Sequence, residues 1–220
     1  VLVFGSAFMT AYSPLYFKSS QDKDFLLRLP RILSGYGLVQ TWVALALCLL
    51  APEILRVMAA PSYRGGWTLV PWVAAGYWLS TTLYQPCLAV LEDQKKTAWA
   101  VLISGLPAVV NIALNWLTVP SFGATAAAVN TLLSFLLMAA LALTISARLH
   151  RLPFPWMMLA RYIAIAASAG ALGGLVPLTA PLLLSIAVKI VLLAAAGLLM
   201  AFLSGFKFSE LFLLARRAQA

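Results

Sequence analysis

Three asparagines, Asn111, Asn115 and Asn130, sit in the apolar stretch "VVNIALNWLTVPSFGATAAAVNT", residues 109–131. Carboxamides both donate and accept hydrogen bonds, so inside hydrocarbon they either join helices or line a path for a polar solute. The other polar groups in apolar surroundings are Gln40 and Thr41, then Ser80, Thr81, Thr82, Tyr84 and Gln85, and finally Lys189. Lys189 is the most expensive, at about 2.5–3.5 kcal/mol if it lies at the centre of a membrane helix. Its position near the start of an apolar run predicts a stem that snorkels outward, the alternative being contact with an anionic headgroup or diphosphate.

Groups for catalysis are sparse. The acids Asp22, Asp24, Glu53, Glu92, Asp93 and Glu210 fall in loops or at helix ends, so no carboxylate is expected inside the membrane to relay protons or bind a cation. His150, in the basic stretch "ARLHRLPFP", has no triad partner nearby and is expected at an interface. Cys48 and Cys87 lie in apolar runs at a separation that fits no metal or redox motif. No phosphate-cradling glycine loop and no metal-ligand cluster occurs, so neither a cofactor nor a metal is expected, and the chain is not read as an enzyme.

The elements that position these residues follow from composition. Hydrophobic residues make up 63% of the chain and charged residues 10%, against roughly 45–50% and about 25% in a soluble domain. That balance defines an integral membrane protein. A helix crossing a hydrocarbon core needs roughly 20 apolar residues. Seven such runs are present, at about 1–17, 34–52, 68–91, 98–119, 123–147, 157–177 and 182–204. The predicted fold is all-α, a polytopic transmembrane helix bundle. The first run is short and lacks both Met and a basic leader, so it is read as the tail of a helix whose beginning is missing. A signal peptide would instead end in a small-residue cleavage site, not "YSPLYFKSS".

The net charge of +9 does not point to nucleic acid, because the cations gather at helix ends. If the first run ends in the cytoplasm, that side holds Lys18, Lys23, Arg28, Arg31, Lys95, Lys96, Arg148, Arg151, Arg161, Lys207, Arg216 and Arg217. Only Arg56 and Arg64 fall opposite, which predicts a cytoplasmic C-terminus by the positive-inside rule. Arg28 and Arg31 at the cytoplasmic mouth suit capture of an anionic headgroup, although topology alone accounts for them.

Helical periodicity places Ser104, Ala108, Asn111 and Asn115 on one face of the fourth run, and Gly123, Ala127, Asn130 and Ser134 on one face of the fifth. The uncharged link around "TVPSF" is too short for anything but an antiparallel pair. At about 1.5 Å per residue, Asn111 and Asn130 are expected at similar depth, roughly 12–15 Å from the turn, and able to meet. Pro120 and Gly123 mark the break, and "GATAAA" allows close approach of the backbones. Gln85 precedes Pro86, where a kink should free carbonyls that need partners. Gly170 and Gly174 have a helix-packing spacing.

The segment "VNIALNWLTVPSFGATAAAVNTLLSF" resembles the hairpin signature of bacterial polysaccharide and O-antigen flippases, in the multidrug/oligosaccharidyl-lipid/polysaccharide transporter superfamily. The matching residues are Asn111, Asn115, Pro120, Phe122, Gly123, Ala127, Ala128 and Thr131, with Ala126 in place of a second glycine and Asn130 in place of a small apolar residue. "MTAYSPLYF" is similar to the end of the family's eighth helix and "LAVLEDQKKT" to the turn after its tenth. The resemblance implies the C-terminal part of a 12–14 helix transporter. Residues 1–147 would be the C-terminal bundle of the flippase core and 148–220 two additional helices with a short cytoplasmic tail.

The implied activity is translocation of undecaprenyl-pyrophosphate-linked oligosaccharide across the bacterial inner membrane. The implied partners are that lipid-linked substrate, membrane lipids and the missing N-terminal half of the same chain. The candidate substrate path is Asn111, Asn115, Asn130, Gln40, Gln85 and Lys189. Two other readings stay open. A cation-coupled drug antiporter of the same fold would prefer a buried carboxylate, and none is expected here; a membrane glycan ligase or polymerase would expose a long periplasmic loop with Arg, His or acidic residues, whereas residues 53–66 are short and carry only Glu53, Arg56 and Arg64.

Overall fold

The structure is a computed structural model that describes residues 1–177, 179 and 181–204. Its elements run α1 (Leu2–Ser19), α2 (Lys23–Met58), a 3-10 segment (Pro61–Leu69), α3 (Val70–Leu79), a π-helical turn (Ser80–Tyr84), α4 (Gln85–Asp93), α5 (Thr97–Leu149), α6 (Trp156–Gly174) and α7 (Leu182–Ser204). The described residues are all-helical, with no strand. Four helices, α2, α5, α6 and α7, are long and apolar enough to cross a membrane. Exposed Trp116, Phe122, Leu198 and Phe202 face outward from them, as hydrocarbon-facing side chains do. Lys207, Glu210, Arg216 and Arg217, with the expected cytoplasmic tail, lie outside the described residues.

Element boundaries differ from the hydropathy runs where polar residues extend a helix. α2 begins at Lys23 because Asp22 accepts a hydrogen bond from the Asp24 amide at 2.9 Å, and Asp24 adds negative charge to the first turn. It continues to Met58, well past the end of the apolar run 34–52, and so takes Glu53 inside the helix.

α5 contains both the fourth and fifth runs, in 53 residues. Its backbone is non-helical at Gly123, with φ 62° and ψ −147°. Glycine alone tolerates that region without strain, since it has no Cβ. Pro120 stays within the first arm, so the reversal is made by Gly123 and not by the proline. A straight helix would separate residues 115 and 130 by about 22 Å. Instead their side chains bond at 2.9 Å, so the two arms fold back on each other.

Three apolar clusters hold the bundle. One joins Tyr12 and Tyr16 of α1, Phe25, Leu29 and Leu33 of α2, Cys87 and Val90 of α4, Ile103 and Met138 of α5, and Leu152. A second joins Trp78, Ala139, Leu159, Tyr162 and Met200, and a third joins Leu45 and Leu49 of α2 with Ala169, Leu193 and Ala196. α6 and α7 therefore pack on α2. Close approach is made at Gly173, where an added Cβ would fall on the Leu49 side chain, and at Gly37 and Gly197, where it would fall on Leu159 and Trp42, whereas Gly170 and Gly174 face open space. The expected Gly170/Gly174 packing pair is thus replaced by a single contact one residue before Gly174. Both cysteines are free thiols, Cys87 buried and Cys48 half-buried.

Candidate functional site

The sequence-derived site residues form three polar clusters and one surface cleft. In the α5 hairpin, Asn115 donates to Asn111 Oδ1 at 2.9 Å, and Asn130 donates to both Asn115 Oδ1 and Thr118 Oγ1 at 2.9 Å. Asn130 is buried, while Asn111 and Asn115 are half-buried. The expected pairing of Asn111 with Asn130 is corrected: Asn130 meets Asn115, and Asn111 lies one turn farther along the same face. The cause is the reversal at Gly123, which puts Asn115 eight residues before the break and Asn130 seven after it. Thr118, absent from the sequence-derived set, continues the 111, 115 face at helical spacing, and that signal would have found it.

The second cluster surrounds Tyr36, which stands on α2 one turn before Gln40. The Gln40 side chain is fully buried, with its oxygen 3.0 Å from the Gly5 amide, its nitrogen 3.2 Å from the Val1 carbonyl, and the Tyr36 hydroxyl 3.1 Å from the amide group. Tyr36 Oη lies 3.0 Å from the Thr81 carbonyl and 3.3 Å from Gln85 Oε1. The expected disturbance near Pro86 takes the form of the π turn at Ser80–Tyr84. Proline supplies no amide hydrogen and crowds the carbonyl four residues earlier, so the ladder widens, and Tyr36 reaches the Thr81 carbonyl there. Nearby, Trp78 Nε1 donates to Thr41 Oγ1 at 2.8 Å, and Ser34 and Tyr162 pair at 2.8 Å. Among the described residues Thr82 Oγ1 is buried without a partner.

The third cluster overturns two expectations. Glu53, read as a loop or helix-end acid, is 7% exposed within α2. Lys189, expected to snorkel outward, is 4% exposed within α7. Lys189 Nζ donates to Glu53 Oε1 at 2.6 Å, and Ser185 Oγ donates to the same oxygen at 2.5 Å. Lys189 and Ser185 are one turn apart on α7, so both point at α2. An ammonium held by a buried carboxylate has no need to reach the interface, which is why the stem does not snorkel. Neither Glu53 nor Ser185 carries a local sequence signal for this pairing, because the partners are 136 and 132 residues apart.

Arg28 and Arg31 are exposed near the start of α2. Arg28 lines a cleft between α1 and α2 with Lys18, Asp22 and Asp24, so the cleft's two cations are balanced by two carboxylates. Among the described residues no group of His, Cys, Asp and Glu is placed to hold a metal ion. Comparison of the chain with protein-family models, curated proteins and solved structures finds no match.

Proposed function

We propose that this chain is the C-terminal part of a flippase that moves undecaprenyl-pyrophosphate-linked oligosaccharide across the bacterial inner membrane. The observation that carries the reading is the amide ladder Asn111, Asn115 and Asn130 in a hairpin reversed by Gly123, within the stretch that resembles the flippase signature. Such a transporter must shelter sugars and a diphosphate from hydrocarbon, and a half-exposed row of amides offers both donors and acceptors to hydroxyls. The path would form between this bundle and a second helical half, as alternating-access transporters are built.

In this reading there are seven crossings: α1, α2, the segment 70–93, the two arms of α5, α6 and α7. The connections bearing Lys18, Lys23, Lys95, Lys96, Arg148 and Arg151 face the cytoplasm, as does the C-terminus. Reporter fusions after Lys96 and Arg151 then read cytoplasm, and those at Ser62, Ser121 and Thr179 read periplasm. A cytoplasmic signal at Ser121 would remove the hairpin from the model of transport.

The functional test is deletion of the whole gene. Lipid-linked oligosaccharide then accumulates on the cytoplasmic leaflet, and the complete gene restores surface polysaccharide. Intact translocation with a block only in joining glycan to its acceptor would replace this reading by the ligase.

One observation favours a second reading, the cation-coupled antiporter of the same fold. Glu53 provides a buried carboxylate of the kind such a protein would prefer, although Lys189 is already paired with it. Proton-driven efflux of a cationic drug by everted vesicles containing the unaltered protein would favour the antiporter, and absence of efflux leaves the flippase.

A further inference from the structure

Glu53 engages Lys189 and Ser185 through one oxygen only. Its Oε2 is buried with no hydrogen-bond partner among the described residues. A buried carboxylate oxygen without a donor is an unfilled position for a ligand hydroxyl. Glu53 also lines a pocket of about 420 Å³ where α2 ends and α7 begins. The remaining walls come from Arg56 on α2, Arg64 and Trp67 on the 3-10 segment, and Thr179 and Ser185. The charged groups around it are Arg56, Arg64 and Lys189 against Glu53, so the pocket favours an anion. Guanidinium groups match phosphate oxygens in geometry as well as charge. Arginine and tryptophan at the end of a membrane-crossing helix also mark the level of lipid headgroups.

We propose that this pocket binds the phosphate ester of a membrane lipid whose headgroup carries hydroxyls, with Arg56 and Arg64 holding the phosphate and Glu53 Oε2 accepting from a hydroxyl. Phosphate and hydroxyl together distinguish it from a simple anion patch, since a lone positive surface would need no acceptor. The Lys189 ammonium and the Ser185 hydroxyl both donate to Oε1, which fixes the orientation of the carboxyl group. Two lipid classes share this chemistry, glycerol phosphodiesters of the bulk membrane and sugar phosphates on an isoprenoid. Lipid binding at this pocket does not require that the chain transport anything.

The test is native mass spectrometry of the full chain in a neutral detergent, titrated with phosphatidylglycerol, phosphatidylmethanol and phosphatidylcholine. Phosphatidylglycerol is retained about tenfold better than phosphatidylcholine, and an Arg56→Gln/Arg64→Gln variant loses about that factor. Both arginines are exposed, and an unfolding temperature equal to that of the parent chain is the condition on which the double variant is read. Phosphatidylmethanol has the same charge but no hydroxyl and is retained less well than phosphatidylglycerol. Equal retention of those two lipids, or unchanged phosphatidylglycerol retention by the double variant, overturns the proposal. An isoprenyl-phosphate sugar that displaces phosphatidylglycerol at substoichiometric amounts assigns the pocket to the glycan lipid, and one that fails to displace it assigns the pocket to bulk lipid. Loss of the flippase reading alone would leave these binding results unchanged.

Discussion

The Asn ladder of α5 and the Glu53–Lys189 pair are two solutions to keeping polar groups inside an apolar bundle. The ladder is neutral and local: its bonds span 4, 12 and 15 residues, and two of its three amides remain half-exposed. The ion pair is charged and distant, joins α2 to α7, and is almost wholly buried. A neutral amide that loses its partner can turn to another or to water at a half-open face. A buried charge that loses its partner has no such recourse, so the same deletion should cost several times more in the second region.

The largest expected effect is therefore at the ion pair. Glu53→Gln, which leaves Lys189 charged and unpaired, is expected to destabilise the chain by about 3–5 kcal/mol in detergent-micelle unfolding. Adding Lys189→Met should recover much of that loss, because the pair's own desolvation cost disappears with it. A double variant as unstable as the sum of the singles would show that the two charges are not coupled.

Next comes the reversal that creates the ladder. Gly123→Ala places a Cβ in a backbone region reserved for glycine and should cost about 1–3 kcal/mol, although no side chain lies within reach of the new methyl. The check is whether Gly123→Ala unfolds at lower denaturant while Gly105→Ala, also facing open space but within regular helix, does not. Similar loss at both would assign the effect to something other than backbone geometry.

Gly173→Ala tests packing instead of polarity. Its Cβ would meet Leu49, and overpacking of this kind costs typically about 1–3 kcal/mol. Trimming Leu49 to Val in the same chain should relieve part of it, and an unchanged deficit would mean that α2 and α6 do not touch there.

The ladder itself gives the smallest effects. Asn130→Leu is expected to cost about 1–2 kcal/mol, since it removes two interhelical bonds, and Asn111→Leu less than about 1 kcal/mol. In a double-mutant cycle, Asn115 and Asn130 should couple while Asn111 and Asn130 should be nearly additive. Coupling between Asn111 and Asn130 instead would restore the equal-depth pairing and move the reversal toward Pro120.

Much of this contrast could be read from the chain. The hairpin asparagines announce themselves by helical spacing on either side of a glycine, and Gln40, Thr41 and Gln85 do so as amides and hydroxyls in apolar runs. Arithmetic from the turn still gives Asn130 the wrong partner, because centring the reversal on Gly123 instead of between Pro120 and Gly123 moves the position opposite Asn130 by about one helical turn, from near Asn111 to Asn115. Tyr36 carries no such signal, because an aromatic residue in an apolar run is ordinarily core, and only the π turn before Pro86 supplies the carbonyl that its hydroxyl meets.

Composition and periodicity alone determined that this is a helical membrane protein with cations gathered near the ends of its apolar runs and an antiparallel pair around Gly123. Those properties depend on burying apolar length in hydrocarbon and on neighbouring residues, both of which are written locally. The tertiary structure decided which distant residues share a neighbourhood. It extended α2 far enough to take in Glu53, brought Lys189 against it across 136 residues of sequence, left one of its carboxylate oxygens buried without a partner, and placed Glu53 in the wall of a pocket shared with Arg56 and Arg64. No local pattern encodes such a meeting, because it follows from how whole helices pack and from the rule that a buried charge must find a partner.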